Sequence, residues 1–525
     1  MVWHIFLKDL RLLRLVVLMV AAMHCGTAAL RAWLDTGEGP QALTLIASVL
    51  PLLCISAMMA LIAVLMHTDA IPGTRQDWLV RPIRRTDLLL AKLLFVVLAV
   101  QMPLLCVDAA QGYVEGFSPE ALIGAACARN ASVFCCFSLP AMMIGAVTRN
   151  LSQALVTAVA STVMLMVIFE VGAILLLGMK SALGGTGLAW FVPVVWEGLA
   201  LIGAAIVLGL QFFRRSTLLA SCVIAVCAGL VLASAFMPWR FAFALQQRLS
   251  VTQHQADPIA FAFHPELGPF QLPAGEAVPS GSAIYFPLRV TGVPADAIAF
   301  ADRTDIRVTD VDGNLLYTGK SNLSIDGMGS FVDAKLELRQ RESSDEAIEA
   351  HQRIFLPAEV FAKLRRQPVK LQLDYSLTLL RADAQEYFLP AKGGHQSYET
   401  FGICTTRVDD DGDDVDIHCI GAQPLPRCFT TVLEDMSSGT RNPEVHRCNP
   451  YYAPFSTQLL PDALSRVDGS LPFFDTSGLT HYPINGSKLA ESRVTIKTYS
   501  PREHFTRHLE TSAIRLSEWS QIVAP

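Results

Sequence analysis

The sequence predicts a helical membrane domain of about seven spans, N-terminus inside and C-terminus outside, followed by a mainly β, sandwich-like extracytoplasmic domain. Three observations lead there. Hydrophobic residues make up 52% of the 525 positions and charged ones only 17%, too apolar for an ordinary soluble chain of this length. The apolar runs end before residue 240, and beyond it none reaches the roughly 20 residues needed to cross a bilayer. The basic residues between the runs fall on alternate sides.

Residues 1–14 place His4, Lys8 and Arg11 on one helical face, with Trp3, Phe6, Leu7, Leu10 and Leu13 around the rest. This predicts an interfacial amphipathic helix. A basic start before an apolar run also fits a secretory signal, but the second run follows closely and the charge pattern works with the first retained. The transmembrane domain, 15–239, divides into spans at 15–33, 42–66, 88–109, 121–147, 153–178, 193–213 and 218–237. With the N-terminus inside, the inner segments hold Lys8, Arg11, Arg14, Arg75, Arg81, Arg84, Arg85, Arg149, Arg214 and Arg215, against Arg31 and Lys180 in the short outer ones. That asymmetry orients the domain by the positive-inside rule. An odd number of spans then puts the second half outside. The net charge of -6 comes with no basic stripe, so no nucleic-acid partner is expected.

Cysteine usage agrees with this division. Eight of the twelve (Cys25, Cys54, Cys106, Cys127, Cys135, Cys136, Cys222, Cys227) sit in apolar spans as small hydrophobic residues. The other four, Cys404, Cys419, Cys428 and Cys448, cluster in the second half, which suggests two disulfides in an oxidising compartment. Residues 240–281 read as a loosely structured connector. The β-rich domain, 282–525, shows strand patterns at 283–290, 305–311, 334–339, 369–380 and 493–499, and a helix at 357–366. Either one antiparallel sandwich or two small β modules would suit them. Asp411-Gly412 is a two-residue turn signal, and residues paired across it have numbers summing to 823. Cys404 and Cys419 satisfy that sum. This favours Cys404 with Cys419 and Cys428 with Cys448, although four cysteines permit other pairings.

The polar stretch 67–92 lies between the second and third spans. It contains Asp69, a Gly73-Thr74 turn, Arg75, Trp78, Arg81, then Pro82, Arg84 and Arg85, with Lys92 in the opening of the next span. Together with the amphipathic start of the chain, it resembles the corresponding loop of type 2 ATP-binding-cassette (ABC) exporter permeases. In that family the loop docks on a separate ATPase subunit. The resemblance covers about the first 215 residues and implies that these residues form the ATPase-coupling loop. It also implies a second permease copy or a related permease as partner, a location in the inner (plasma) membrane, and ATP with Mg held by the partner and no cofactor on this chain. A basic loop that only anchors two helices is the simpler alternative, but it explains neither the Gly-Thr turn nor the spacing to Pro82 and Lys92. The seventh span and the outer domain depart from the simple pattern and leave the substrate open.

Within the spans, Arg129 and Glu170 each lie eight residues from the outer end of their span. Neighbouring antiparallel helices could pair them; a lone charge there costs about 2.5–3.5 kcal/mol, so an intramembrane pair or access to a watery cavity is expected. The segment 179–196, with Gly184, Gly185, Gly187, Pro193, Trp190 and Trp196, reads as an interfacial loop, and Glu197 as solvated.

Motifs for chemistry are sparse. Gly313 to Ser321 has five residues between its glycines, where a phosphate-binding loop has four, and reads as a β-hairpin. The acidic run 409–416 lacks the distal glutamate of a calcium loop. No histidine precedes a glutamate, and no Gly-x-Ser-x-Gly occurs, so an enzyme is not expected and no metal site is assigned. His504 and His508 fall in or beside a strand. The second functional class that fits the chain is a membrane-anchored envelope sensing or binding protein.

Overall fold

The computed structural model describes residues 1–34, 41–68, 84–114, 119–177, 191–235, 237–269, 283–321, 337–339, 348–398, 402–408, 414–420, 428–437, 439, 445–448, 476–483 and 491–520. The first half is helical. Helices α1 (Val2–Leu34) and α2 (Gln41–His67) are followed by α3 (Arg85–Phe95), which continues through a π-helical segment, Val96–Gln101, into α4 (Met102–Val114). Helix α5 (Pro119–Val133) continues likewise through Phe134–Ser138 into α6 (Leu139–Val147). Then come α7 (Leu151–Leu177), α8 (Phe191–Gly209) with a π segment at Leu210–Arg214, α9 (Thr217–Ala235) and α10 (Trp239–Arg248). Among the described residues six helical stretches are long and apolar enough to cross a membrane, and the described apolar part of α2, Leu52–His67, is shorter.

One expectation fails at the start of the chain. There is no separate interfacial helix over 1–14, because α1 runs unbroken from Val2. No glycine or proline interrupts it before Gly26, and Ile5, Phe6 and Leu13 are buried in the same apolar cluster as Met58, Ile62, Phe95 and Met142. Of the apolar residues around that start, Phe6 and Leu13 pack inside the bundle, Leu7 and Leu10 are half-buried, and Trp3 stays exposed. By contrast α7 exposes Val156, Val159, Val163 and Met166, a surface suited to lipid.

The second half is antiparallel β structure. Its strands are β1 (Ala260–Phe263), β2 (Ala283–Thr291), β3 (Ala297–Thr309), β4 (Leu315–Ser321), β5 (Glu337–Arg339), β6 (Ile348–Phe355), β7 (Pro368–Pro390), β8 (His395–Tyr398), β9 (Gly402–Val408), β10 (Asp414–Ile420), β11 (Cys428–Asp435), β12 (Val445–Cys448), β13 (Thr476–Pro483), β14 (Ser492–Glu510) and β15 (Ile514–Arg515), with α11 (Ala358–Leu364) between β6 and β7. The main sheet runs β12-β11-β14-β7-β3-β4, with β5 on β3 and β15 on β7. Smaller sheets run β1-β2-β6 and β13-β10-β9-β8.

The two-residue periodicity of a strand accounts for the core. Ile284, Phe286, Leu288 and Val290 of β2 and Val369, Leu371, Leu373, Tyr375 and Leu377 of β7 alternate into one buried cluster, closed by Phe361 and Leu364 of α11. The Tyr375 hydroxyl donates to Gln352 Oε1 at 2.6 Å, and burial pushes its pKa well above the ordinary tyrosine value. Strand β7 runs past the predicted end at 380 because its polar continuation is satisfied: Arg381 pairs with Asp296 at 2.7 Å, and Asp383 accepts from Thr498 and Ser500. Within 313–321, Leu315–Ser321 form the hairpin arm β4, paired with β3. At its turn, the Asn314 side-chain amide holds the exposed Asp310 carboxyl below its ordinary range.

The connector is a second correction. Its described part, up to residue 269, is built into the fold, while 270–281 lie outside the described residues. Glu503 accepts from the backbone N–H groups of His254 (3.1 Å) and Ala256 (3.0 Å), and Arg507 donates to the carbonyls of Ile259 (2.6 Å) and Ala256. The Ser250 hydroxyl accepts from His504 N–H at 2.9 Å, and Phe243 of α10 meets the His504 ring edge-on. Strand β14 thus supplies the hydrogen bonds that a polar connector cannot make internally. Gly292, at φ +77, passes so close that a Cβ would stand 2.1 Å from the Pro258 carbonyl oxygen. Gly292→Ala is therefore expected to cost at least about 1–3 kcal/mol, visible as a lower unfolding temperature of the full chain. An unchanged temperature would show that the turn relaxes freely.

The register of β9 and β10 is the one that the Asp-Gly turn predicts. Val408 lies opposite Val415, and Cys404 opposite Cys419, although the turn itself, 409–413, is outside the described residues. Cys428 lies opposite Cys448 across β11 and β12.

Candidate functional site

Buried polar groups in an apolar bundle are costly unless paired, so their positions mark candidate sites. Two places stand out. The first is the end of the bundle where α2 leaves and α3 enters. Asp69, Gly73, Thr74, Arg75, Trp78, Arg81 and Pro82 lie outside the described residues, but both ends of their loop are visible. Helix α2 ends at His67, whose Nε2 is 3.1 Å from Thr148 Oγ1, just beyond α6. Arg84 is exposed and extended at the start of α3. Arg85 is also exposed, and its Nη1 donates to the Phe213 carbonyl at 2.6 Å.

Lys92, assigned to the coupling loop at the opening of the third span, lies inside the bundle. It is 1% exposed, and its Nζ lies 2.8 Å from Asp9 Oδ2 and 2.8 Å from Thr68 Oγ1. Helical spacing explains this, because Lys92 shares its face of α3 with buried Leu88, Ala91 and Phe95. Asp9 is the sole acid of α1; a single acid in an apolar helix and a single lysine in another were the available signal. The result is a three-way tie joining α1, the end of α2 and α3.

The second place lies inside the helices. Arg129 of α5 forms an ion pair with Asp108 of α4, and neither side chain is exposed. The sequence paired Arg129 with Glu170, whose side chain lies outside the described residues; the described partner of Arg129 is Asp108. Asp108 and Arg129 belong to adjoining antiparallel helices that pack on each other, whereas α7, which carries Glu170, packs on α2, α6 and α9. His24 of α1, 3% exposed, is within electrostatic reach of Arg129. Nearby, Gln101 Nε2 donates to Ser138 Oγ at 2.7 Å, and Asn130 Nδ2 to the Gln101 carbonyl at 2.9 Å. Glu197, expected to be solvated, is half-buried and accepts from Ser132 Oγ at 3.0 Å.

No known protein family's model matches this chain, and no curated protein matches it. The site therefore stands on its geometry. Among the described residues no three His, Cys, Asp or Glu side chains come together to hold a metal ion. What the arrangement supplies is attachment: both described ends of the 67–92 stretch are fastened to several helices.

Proposed function

We propose that this chain is the membrane-spanning subunit of an ABC exporter of the type 2 permease kind, driven by a separate ATPase subunit that docks on the loop of residues 67–92. The observation that supports the reading best is the fastening of that loop. Lys92 ties its beginning, Thr68, to α1 and α3, His67 ties it to the α6 end, and Arg85 ties its exit to the end of α8. A passive anchor between two spans has no need of such ties. A loop that receives a push from an ATPase does, because coupling requires contacts that differ between two states.

In this reading seven spans cross the inner membrane with the N-terminus inside, and the β domain stands outside. Two copies, or this chain and a related permease, face each other across the path. ATP and Mg stay on the partner, and this chain does no chemistry of its own. The facing positions of Cys404 with Cys419 and of Cys428 with Cys448 suit two disulfides, each contributing about 2–4 kcal/mol.

Replacing Arg84 and Arg85 together by glutamate tests the docking. The expected result is at least about a ten-fold fall in ATPase recovered with the chain from mild detergent, an interaction loss of roughly 1.4 kcal/mol or more. Undiminished recovery by the double variant would count against docking through this loop.

A further inference from the structure

Pro103 and Pro140 stand inside apolar helices, each two residues beyond the end of a π segment. Proline lacks an N–H, and its ring crowds the carbonyl four residues back. Those carbonyls belong to Ala99 and Cys136, both inside the π segments. The helices absorb the ring by widening one turn: Met102 N–H reaches back to Val97 O, and Leu139 N–H to Phe134 O. The two widened turns face each other, tied by Gln101 Nε2 to Ser138 Oγ at 2.7 Å, and Asn130 Nδ2 of α5 donates to the Gln101 carbonyl at 2.9 Å.

What lies on either side of these turns differs. The main buried cluster of the bundle takes Leu88, Phe95, Val100 and Leu104 from one helix and Val133, Leu139 and Met142 from the other. Among the described residues it takes none from 105–132. Those residues, the bulk of α4 and α5, are fastened to each other by the buried Asp108–Arg129 pair; they meet the rest of the bundle through the packing of α4 on α1 and the Ser132–Glu197 bond next to the second joint, and they expose Cys106, Tyr113, Ile123 and Cys127. The geometry points to a moving part: the α4–α5 hairpin is one rigid arm that swings against the rest of the bundle on two coupled proline joints. Widened turns of this kind recur at functional sites and kinks. The inference does not rest on the transport reading, and its test needs no ATPase.

Hydrogen–deuterium exchange on the full chain in lipid nanodiscs reads the joints directly. Amides of 97–101 and 134–138 are expected to exchange about ten-fold faster than those of the flanking turns in α3 and α6. Pro103→Ala restores the missing donor and slows both segments at once. Gln101→Leu cuts the tie between them and speeds both. Size-exclusion behaviour like that of the parent chain certifies that each variant is folded, and Pro103→Ala, which relieves crowding, is the variant least prone to misfold. Joints that exchange no faster than their flanks, or a Pro103→Ala effect confined to its own helix, would overturn the proposal.

Discussion

Replacing Arg129 by alanine is expected to destabilise the helical domain by about 3–5 kcal/mol, the usual cost of leaving one partner of a buried ion pair uncompensated. The partner is Asp108, and neither side chain has any exposure, so water cannot take over the lost contact. Asp108→Asn in the Arg129→Ala background removes the stranded charge and is expected to recover most of the loss. Glu170→Ala in the same background is expected to recover none. A double-mutant cycle on the unfolding temperature of the full chain in detergent checks this. Additive effects of Asp108 and Arg129, or rescue through Glu170, would show that the pair does not carry the cost.

Lys92 gives the second large effect. Lys92→Met takes from Asp9, which is 0% exposed, its buried partner and leaves it only the half-exposed Lys8 at 3.2 Å, and it removes the donor that holds Thr68. A loss of about 3 kcal/mol is expected, the lower end of the cost of an uncompensated buried charge because Lys8 remains beside Asp9, while the double change Asp9→Asn with Lys92→Met approaches the parent in stability. The two kinds of readout then separate. Stability returns in the double variant, but the tie between Thr68 and α3 does not, so communication between loop and helices stays impaired. With an ATPase partner in hand, stimulation of its turnover by the double variant is expected to fall at least about ten-fold, about 1.4 kcal/mol of lost coupling. Full stimulation by the double variant would show that the tie serves packing alone.

Particular residues show what could be read from the sequence and what could not. The division into a helical and a β half followed from hydropathy, and the β9–β10 register from one Asp-Gly turn, because both depend on local chemistry. The partner of Arg129 did not follow, since counting from span ends assigns depth without saying which helices touch. Asp108 fell at the predicted end of its span, where a charge calls for no partner. Lys92 was ambiguous for a related reason: a basic residue near a loop suits the surface by composition, and only its place on the Leu88–Phe95 face of α3 turns it inward. The connector looked unstructured because its hydrogen bonds go to Glu503 and Arg507, some 250 residues away in sequence. Pro103 and Pro140 fell inside spans read as uninterrupted, because an apolar run hides a local widening of the helix, and their pairing needed the Gln101–Ser138 contact.

The measurement that bears most directly on the transport reading is purification of the full chain from its native membrane in mild detergent, with identification of whatever accompanies it. The account predicts a Walker-motif ATPase in stoichiometric amount, lost when Arg84 and Arg85 are both changed to glutamate. Repeated isolation of the intact, folded chain with no such ATPase, and undisturbed function after that double change, would contradict it and favour an envelope sensing or binding role.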